Sequence, residues 1–178
     1  MSNTAAARTS ITTLRWIRLW IVFFIVALVV SGLTALPLEN ELRFASKVLH
    51  ATAAPQMVPE LVAWIDRVRN GVGETYAEFP FMAYGTDWLA FAHIVIAIAF
   101  IGPLRDPVRN IWIVQWGMIA CVLVIPLALI AGPNRGIPLG WQLLNVSFGA
   151  FGIIPLLIVY RLTRQLEHAD IEQATARA

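Results

Sequence analysis

Four stretches of this chain carry no Asp, Glu, Lys or Arg: residues 19–36 (18 residues), 88–104 (17), 111–132 (22) and 141–160 (20). At 1.5 Å of rise per residue even the shortest makes a helix about 26 Å long, close to the ~30 Å thickness of a bilayer's hydrocarbon core. They are apolar on every side, so they lack the period-two alternation of a barrel wall. A helix also pairs its own backbone N–H and C=O groups, which lipid cannot do for it. The sequence therefore predicts an all-α chain: an integral membrane four-helix bundle making up a single domain over residues 1–178.

Composition agrees. The chain is 58% apolar and 13% charged, where a soluble domain carries roughly 45–50% and about 25%, and mean hydropathy is +0.70. The net charge of +2 is small, and its distribution matters more than its size. Arg8, Arg15 and Arg18 precede the first span, Arg105 and Arg109 lie between the second and third, and Arg161, Arg164 and Arg177 follow the fourth. That places eight of the 13 basic residues on one side. The other side holds Arg43, Lys47, Arg67, Arg69 and Arg135, diluted by seven acids between residues 39 and 87. Excess Lys and Arg mark the cytoplasmic side, so both termini are expected in the cytoplasm, with residues 161–178 as a short polar tail. Trp16, Trp20, Trp112 and Trp116 then fall at the inner interface and Trp88 and Trp141 at the outer one, where amphipathic rings settle without any binding role. The first span has the basic lead of a signal peptide, but no A-x-A site follows in residues 31–37, and it is expected to be retained.

The segment 37–86 is too small for a core of its own. It reads as two short amphipathic helices split by breakers in residues 53–59. Leu38, Leu42, Ala45 and Leu49 form a stripe on the first, and Leu61, Trp64, Ile65, Val68 and Val72 form one on the second. On the outer side such a pair is expected to act as a static cap in preference to a lid.

Polar groups inside spans are the natural candidates for function. His93 stands five residues into the second span, where an imidazole needs a hydrogen-bond partner or a ligand. The expected depth brings Ser31 and Thr34 from the first span and Asn145 from the fourth to the same outer third of the bundle. Asp87 opens the second span and is expected to cap it. Asp87 and His93 are six residues apart, about 240° around the helix, so they cannot form a direct dyad. These five residues are the candidates for a cofactor site or a polar cluster. A bis-histidine haem needs a second ligand, and His50 in the outer segment is the only histidine that could swing in, His168 lying in the tail. Haem and quinone both stay open, with no motif behind either. The single cysteine, Cys121, excludes an intrachain disulfide and a CxxC pair, and no HxxxH or HExxH spacing predicts a metal site. No P-loop, GxGxxG or GxSxG motif is present, so neither nucleotide nor nucleic acid is expected as a partner. Arg105 and Arg109 flank a tight turn and are candidates for lipid headgroups, with Asp106 as N-cap and Pro107 at the first position of the third helix. Pro126 and Pro155 interrupt the last two spans, while Gly117, Gly149 and Gly152 offer close-packing faces. No charge lies mid-span, as a transport pathway would want.

Three strings, Tyr84-Gly85-Thr86-Asp87-Trp88 running on to His93, Ile101-Gly102-Pro103-Leu104-Arg105-Asp106-Pro107-Val108-Arg109-Asn110, and Gly132-Pro133-Asn134-Arg135-Gly136-Ile137-Pro138, resemble small hypothetical inner-membrane proteins of bacteria. The resemblance covers about the last 95 residues. It implies a bacterial inner-membrane location with this topology and carries over no activity or functional residue. With no catalytic constellation, no charged pathway and little mass outside the bilayer, the chain is expected to be a non-enzymatic accessory subunit or assembly factor of a larger inner-membrane complex, such as an energy-transducing one. Its expected partners are lipids and other membrane subunits. The alternative is a redox, quinone- or haem-binding membrane protein built on His93 and the polar cluster.

Overall fold

The computed structural model describes the backbone of residues 2–175 and side chains from residue 11 onward, Asp170 and Gln173 excepted. The side chain of Arg8 and the whole of Arg177 lie outside the described residues. Helices follow one another in the order α1 (Ser2–Ala35), α2 (Leu38–His50), α3 (Ala54–Met57), α4 (Pro59–Glu78), α5 (Tyr84–Ala99), α6 (Ile101–Arg105), α7 (Ile111–Asn134) and α8 (Leu139–Thr175), with no strand among the described residues. Four segments are long and apolar enough to cross a membrane: Ile11–Ala35, Pro80–Arg105, Ile111–Asn134 and Leu139–Ala169. In each, only 17–22% of the most apolar stretch is buried within the protein. The remaining side chains form a broad apolar exterior, which in a membrane is the face turned to lipid.

The second span begins earlier and ends less simply than the run 88–104 implies. A 3₁₀ turn over Pro80–Ala83 leads directly into α5, whose N-cap position is Ala83. Asp87 is therefore a first-turn residue and not the expected N-cap, though a carboxylate still suits that dipole end. The helix then breaks at Phe100 and resumes as α6. Pro103 is the cause, because it has no N–H to give the Ala99 carbonyl. The turn after α6 also corrects an expectation. Asp106 Oδ1 accepts from the Arg109 N–H at 3.0 Å, and Asn110 Nδ2 donates to the carbonyls of Gly102 and Asp106. Asp106 thus caps the turn, while α7 starts only at Ile111 with Asn110 before it.

Between α7 and α8 the chain reverses in four residues. The Ile137 N–H returns to the Gly132 carbonyl at 3.0 Å and the Gly136 N–H to Pro133 at 3.1 Å, with Gly136 at φ 65°. This is the Schellman arrangement, which needs the left-handed residue that glycine supplies. Gln142 folds over the turn, donating to the Ile137 carbonyl at 2.7 Å. It fits because Gly132 has no side chain: a Cβ there would meet Gln142 Cγ at 2.6 Å.

In the bundle, α1 packs against α5 and α8, and α8 against α7. Its core gathers Ile17 and Ile21 of α1, Phe100 after α5, Ile113 and Val114 of α7, and Leu156 and Val159 of α8. All lie toward the end where the chain begins and finishes. Gly117 allows this closure, since a Cβ would meet the Phe100 ring at 2.8 Å and Leu156 Cδ1 at 3.0 Å. Further along, a Cβ on Gly149 would collide with the Cys121 carbonyl, so α7 and α8 touch through backbone. Off the spans, α2 and α4 form a hairpin with Leu42, Val62 and Ile65 buried.

Candidate functional site

Away from the packed end, the four spanning helices enclose a cavity of about 710 Å³. Phe24 marks its floor: it lines the space and packs on Phe100 with ring centroids 4.8 Å apart, joining cavity to core. Ala27, Leu28 and Ser31 come from α1, Leu89 and His93 from α5, Val124, Leu127, Ala128, Ala131 and Gly132 from α7, and Asn145, Phe148 and Gly152 from α8. Phe148 and Phe151 belong to the same wall yet stay 68% and 71% exposed, so the cavity opens sideways between the helices. A volume of this order suits one drug-sized molecule, and an apolar wall with a few polar groups is the usual composition of such a site.

Of the five residues singled out by the sequence, Ser31, His93 and Asn145 line the cavity. Thr34 lies outside its lining, exposed, and donates to the Ser31 carbonyl of its own helix at 3.0 Å. Asp87 is also outside the lining and exposed. Arg105 and Arg109 stand exposed at the α6–α7 turn, at the opposite end of the bundle.

His93 sits where α1 and α5 pack closely through Gly32. A Cβ on Gly32 would meet His93 Cβ at 2.8 Å and the Ala90 carbonyl at 3.0 Å. Its Nδ1 lies 2.8 Å from the Leu89 carbonyl one turn back. A carbonyl only accepts, so Nδ1 carries the hydrogen and the neutral ring keeps a lone pair on Nε2. No described residue bonds to Nε2, to the Asn145 amide or to the Ser31 hydroxyl. Three polar groups thus border an apolar space with hydrogen-bonding capacity unused.

His50 is committed elsewhere. Its Nε2 donates to Asp66 Oδ2 at 2.7 Å, while the Ser46 hydroxyl donates to Asp66 Oδ1 at 2.6 Å and Arg69 donates to Ser46 Oγ at 2.7 Å. These bonds hold the Asp66 carboxyl below the usual carboxylate range, first through Ser46 and then His50, against the opposing effect of burial. His50 is absent from the cavity lining, so it is not placed as a second haem ligand to His93. Among the described residues no group of three His, Cys, Asp or Glu side chains is arranged to hold a metal ion.

Sequence reasoning passed over two parts of this picture. Phe148, Phe151 and Cys121 line the cavity but read as ordinary span residues, and only the glycines at 149 and 152 hinted that α8 leans on α7 there. The Ser46–Asp66–His50–Arg69 clasp joins residues 16 to 23 apart, which no local pattern reveals. No protein family, curated protein or solved structure matches the chain.

Proposed function

We propose that this chain is a binding protein for a lipophilic small molecule, held in the cavity with its polar head among Ser31, His93 and Asn145. The observation that carries the reading is the juxtaposition itself: three helices each supply one polar group with free hydrogen-bonding capacity to an otherwise apolar space. An unpaired polar group out of water costs several kcal/mol in hydrocarbon, so a partner for these groups is strongly favoured. The sideways opening past Phe148 and Phe151 suits a molecule that arrives dissolved in the bilayer. No chemical step is part of this reading, which is binding without catalysis.

The distribution of Arg and Lys supports both termini in the cytoplasm of a bacterial inner membrane, with the cavity in the outer half and the α2–α4 pair lying as amphipathic helices on the outer surface. The hairpin contributes no residue to the cavity lining, which favours a static cap over a lid. A second reading, an accessory subunit or assembly factor of a larger membrane complex, is supported by the apolar side chains the extramembrane segment leaves bare, Phe44 at 71% and Met57 at 78% exposed. The two are compatible, but they differ in what must accompany the chain.

Native mass spectrometry of the protein extracted in mild detergent from its own membrane separates them. The binding reading expects a small-molecule adduct, other than phospholipid, that His93→Ala loses. A bare chain, or an adduct retained unchanged by His93→Ala, counts against it. Co-purifying polypeptides without a small molecule move the assignment to the subunit reading.

A further inference from the structure

We infer that the cavity is selective for a ring bearing a free hydroxyl, a hydroquinone or phenol, over the carbonyl form of the same ring. The inference rests on the binding reading above and adds the chemistry of the head group. His93 supplies the selectivity. Its Nδ1–H is spent on the Leu89 carbonyl, so the neutral imidazole can offer the cavity only the Nε2 lone pair, an acceptor. Asn145 is the complement, with an amide that donates through Nδ2 and accepts through Oδ1, and Ser31 can do either.

A hydroxyl meets both demands at once. Its hydrogen goes to His93 Nε2 and its oxygen accepts from Asn145 Nδ2 or the Ser31 hydroxyl. A quinone carbonyl accepts from Asn145 or Ser31 equally well but brings no hydrogen, so it leaves Nε2 unpaired in an apolar space. Covering that acceptor with a ligand that gives it no donor corresponds to roughly a tenfold or greater loss of affinity. The apolar remainder of the site, from Leu28 to Phe148, treats the two forms alike, so the difference falls on the head. Phospholipid acyl chains could fill the same space, but they have no donor for Nε2 and would not discriminate.

The test compares one ring in its two states. The purified full chain in phosphatidylcholine nanodiscs is titrated calorimetrically with a decyl-substituted benzoquinone and with the corresponding hydroquinone kept reduced under argon, empty nanodiscs giving the partitioning blank. The expected result is a hydroquinone bound roughly tenfold or more tightly than the quinone. In His93→Phe the hydroquinone falls to the affinity of the quinone, which itself moves little, whereas Asn145→Leu weakens both forms together. Equal affinities in the unaltered protein overturn the inference without any variant, as does a preference that persists in His93→Phe. If neither ring binds while an adduct of other chemistry is carried from the native membrane, this inference fails and the binding reading stands. If neither ring binds and the native chain is bare, both fail.

Discussion

The two ends of the bundle are built from the same kinds of residue and do opposite things with them. At the end near the chain termini, Phe100 and Leu156 have no exposed surface, and a glycine at 117 lets the helices close on them. At the other end Phe148 and Phe151, residues of the same size, stand mostly exposed around an open cavity. Backbone contact does not explain the difference, because Gly149 brings α7 and α8 together at the open end as well. What differs is α5. At the closed end its break at Phe100 swings an aromatic ring into the middle of the bundle, whereas at the open end it contributes Leu89 and a histidine tied back to its own helix. In lipid, helices are held together by packing more than by expulsion of apolar surface. The closed end should therefore carry the stability, leaving the open end free to carry a ligand.

The largest effect expected from this contrast is at Phe100. Phe100→Ala removes the ring that plugs the closed end and should cost about 3 kcal/mol, the lower part of the range for aromatic truncation, since lipid lessens the transfer share of the loss. Phe151→Ala at the open end should cost less than about 0.5 kcal/mol, as expected for an exposed side chain. Reversible unfolding in bicelles measures both, and similar losses at the two positions would break the contrast.

The glycines sharpen it. Gly149→Val pushes a side chain into the Cys121 carbonyl and should destabilise by about 2 kcal/mol through overpacking. Gly140→Ala has nothing within 4 Å to meet and should be neutral or slightly stabilising through helix propensity. If Gly149→Val is as harmless as Gly140→Ala, α7 and α8 are not joined through backbone at the cavity edge.

The smallest effect concerns the hairpin outside both ends. Because the Asp66 carboxyl is held below its ordinary value by Ser46 and His50, its contribution to the fold is present above the unfolded value of about 4 and disappears as pH falls through the folded one. His50 is half exposed, so the contribution should stay below about 1 kcal/mol. Hydrogen exchange of α2 and α4, corrected for the intrinsic rate, should show protection falling between pH 5 and about pH 3 in the unaltered protein, with that dependence flattened in Asp66→Asn. The cavity end should not respond.

Much of the architecture was readable from the sequence because its cause is local. A run without charges has to be a helix if it is to satisfy its backbone in lipid, so all four spans could be located, although the first and second begin eight residues earlier and the fourth runs nine residues further than the uncharged runs. Their ends were less readable. Pro103 acts four residues back, on the carbonyl of Ala99, and Asp106 caps a turn that the positions of Pro107 and Asn110 leave ambiguous in one dimension. For the candidate site, the helices that meet were readable and the faces they present were not. Ser31, His93 and Asn145 do line one space, but Thr34, one turn beyond Ser31, falls outside it. Which side of a helix a residue presents depends on its neighbours' packing, here on Gly32 against His93 and Gly149 against Cys121. The Asp66 clasp was unreadable for a related reason, since the register of α2 on α4 is set by contacts 16 to 23 residues apart.

The central claim, that stability lives at one end and ligand binding at the other, is tested most directly by filling the cavity from its wall. Ala128 of α7 lines the space, and Ala128→Trp should occupy it without disturbing Phe100 or Leu156. Native mass spectrometry and bicelle unfolding of the same preparation then read the two ends together. The account predicts that the adduct carried by the unaltered protein is lost while stability changes by less than about 1 kcal/mol, the void being filled and not overpacked. An adduct retained in Ala128→Trp, or a loss of stability as large as that of Phe100→Ala, would contradict it.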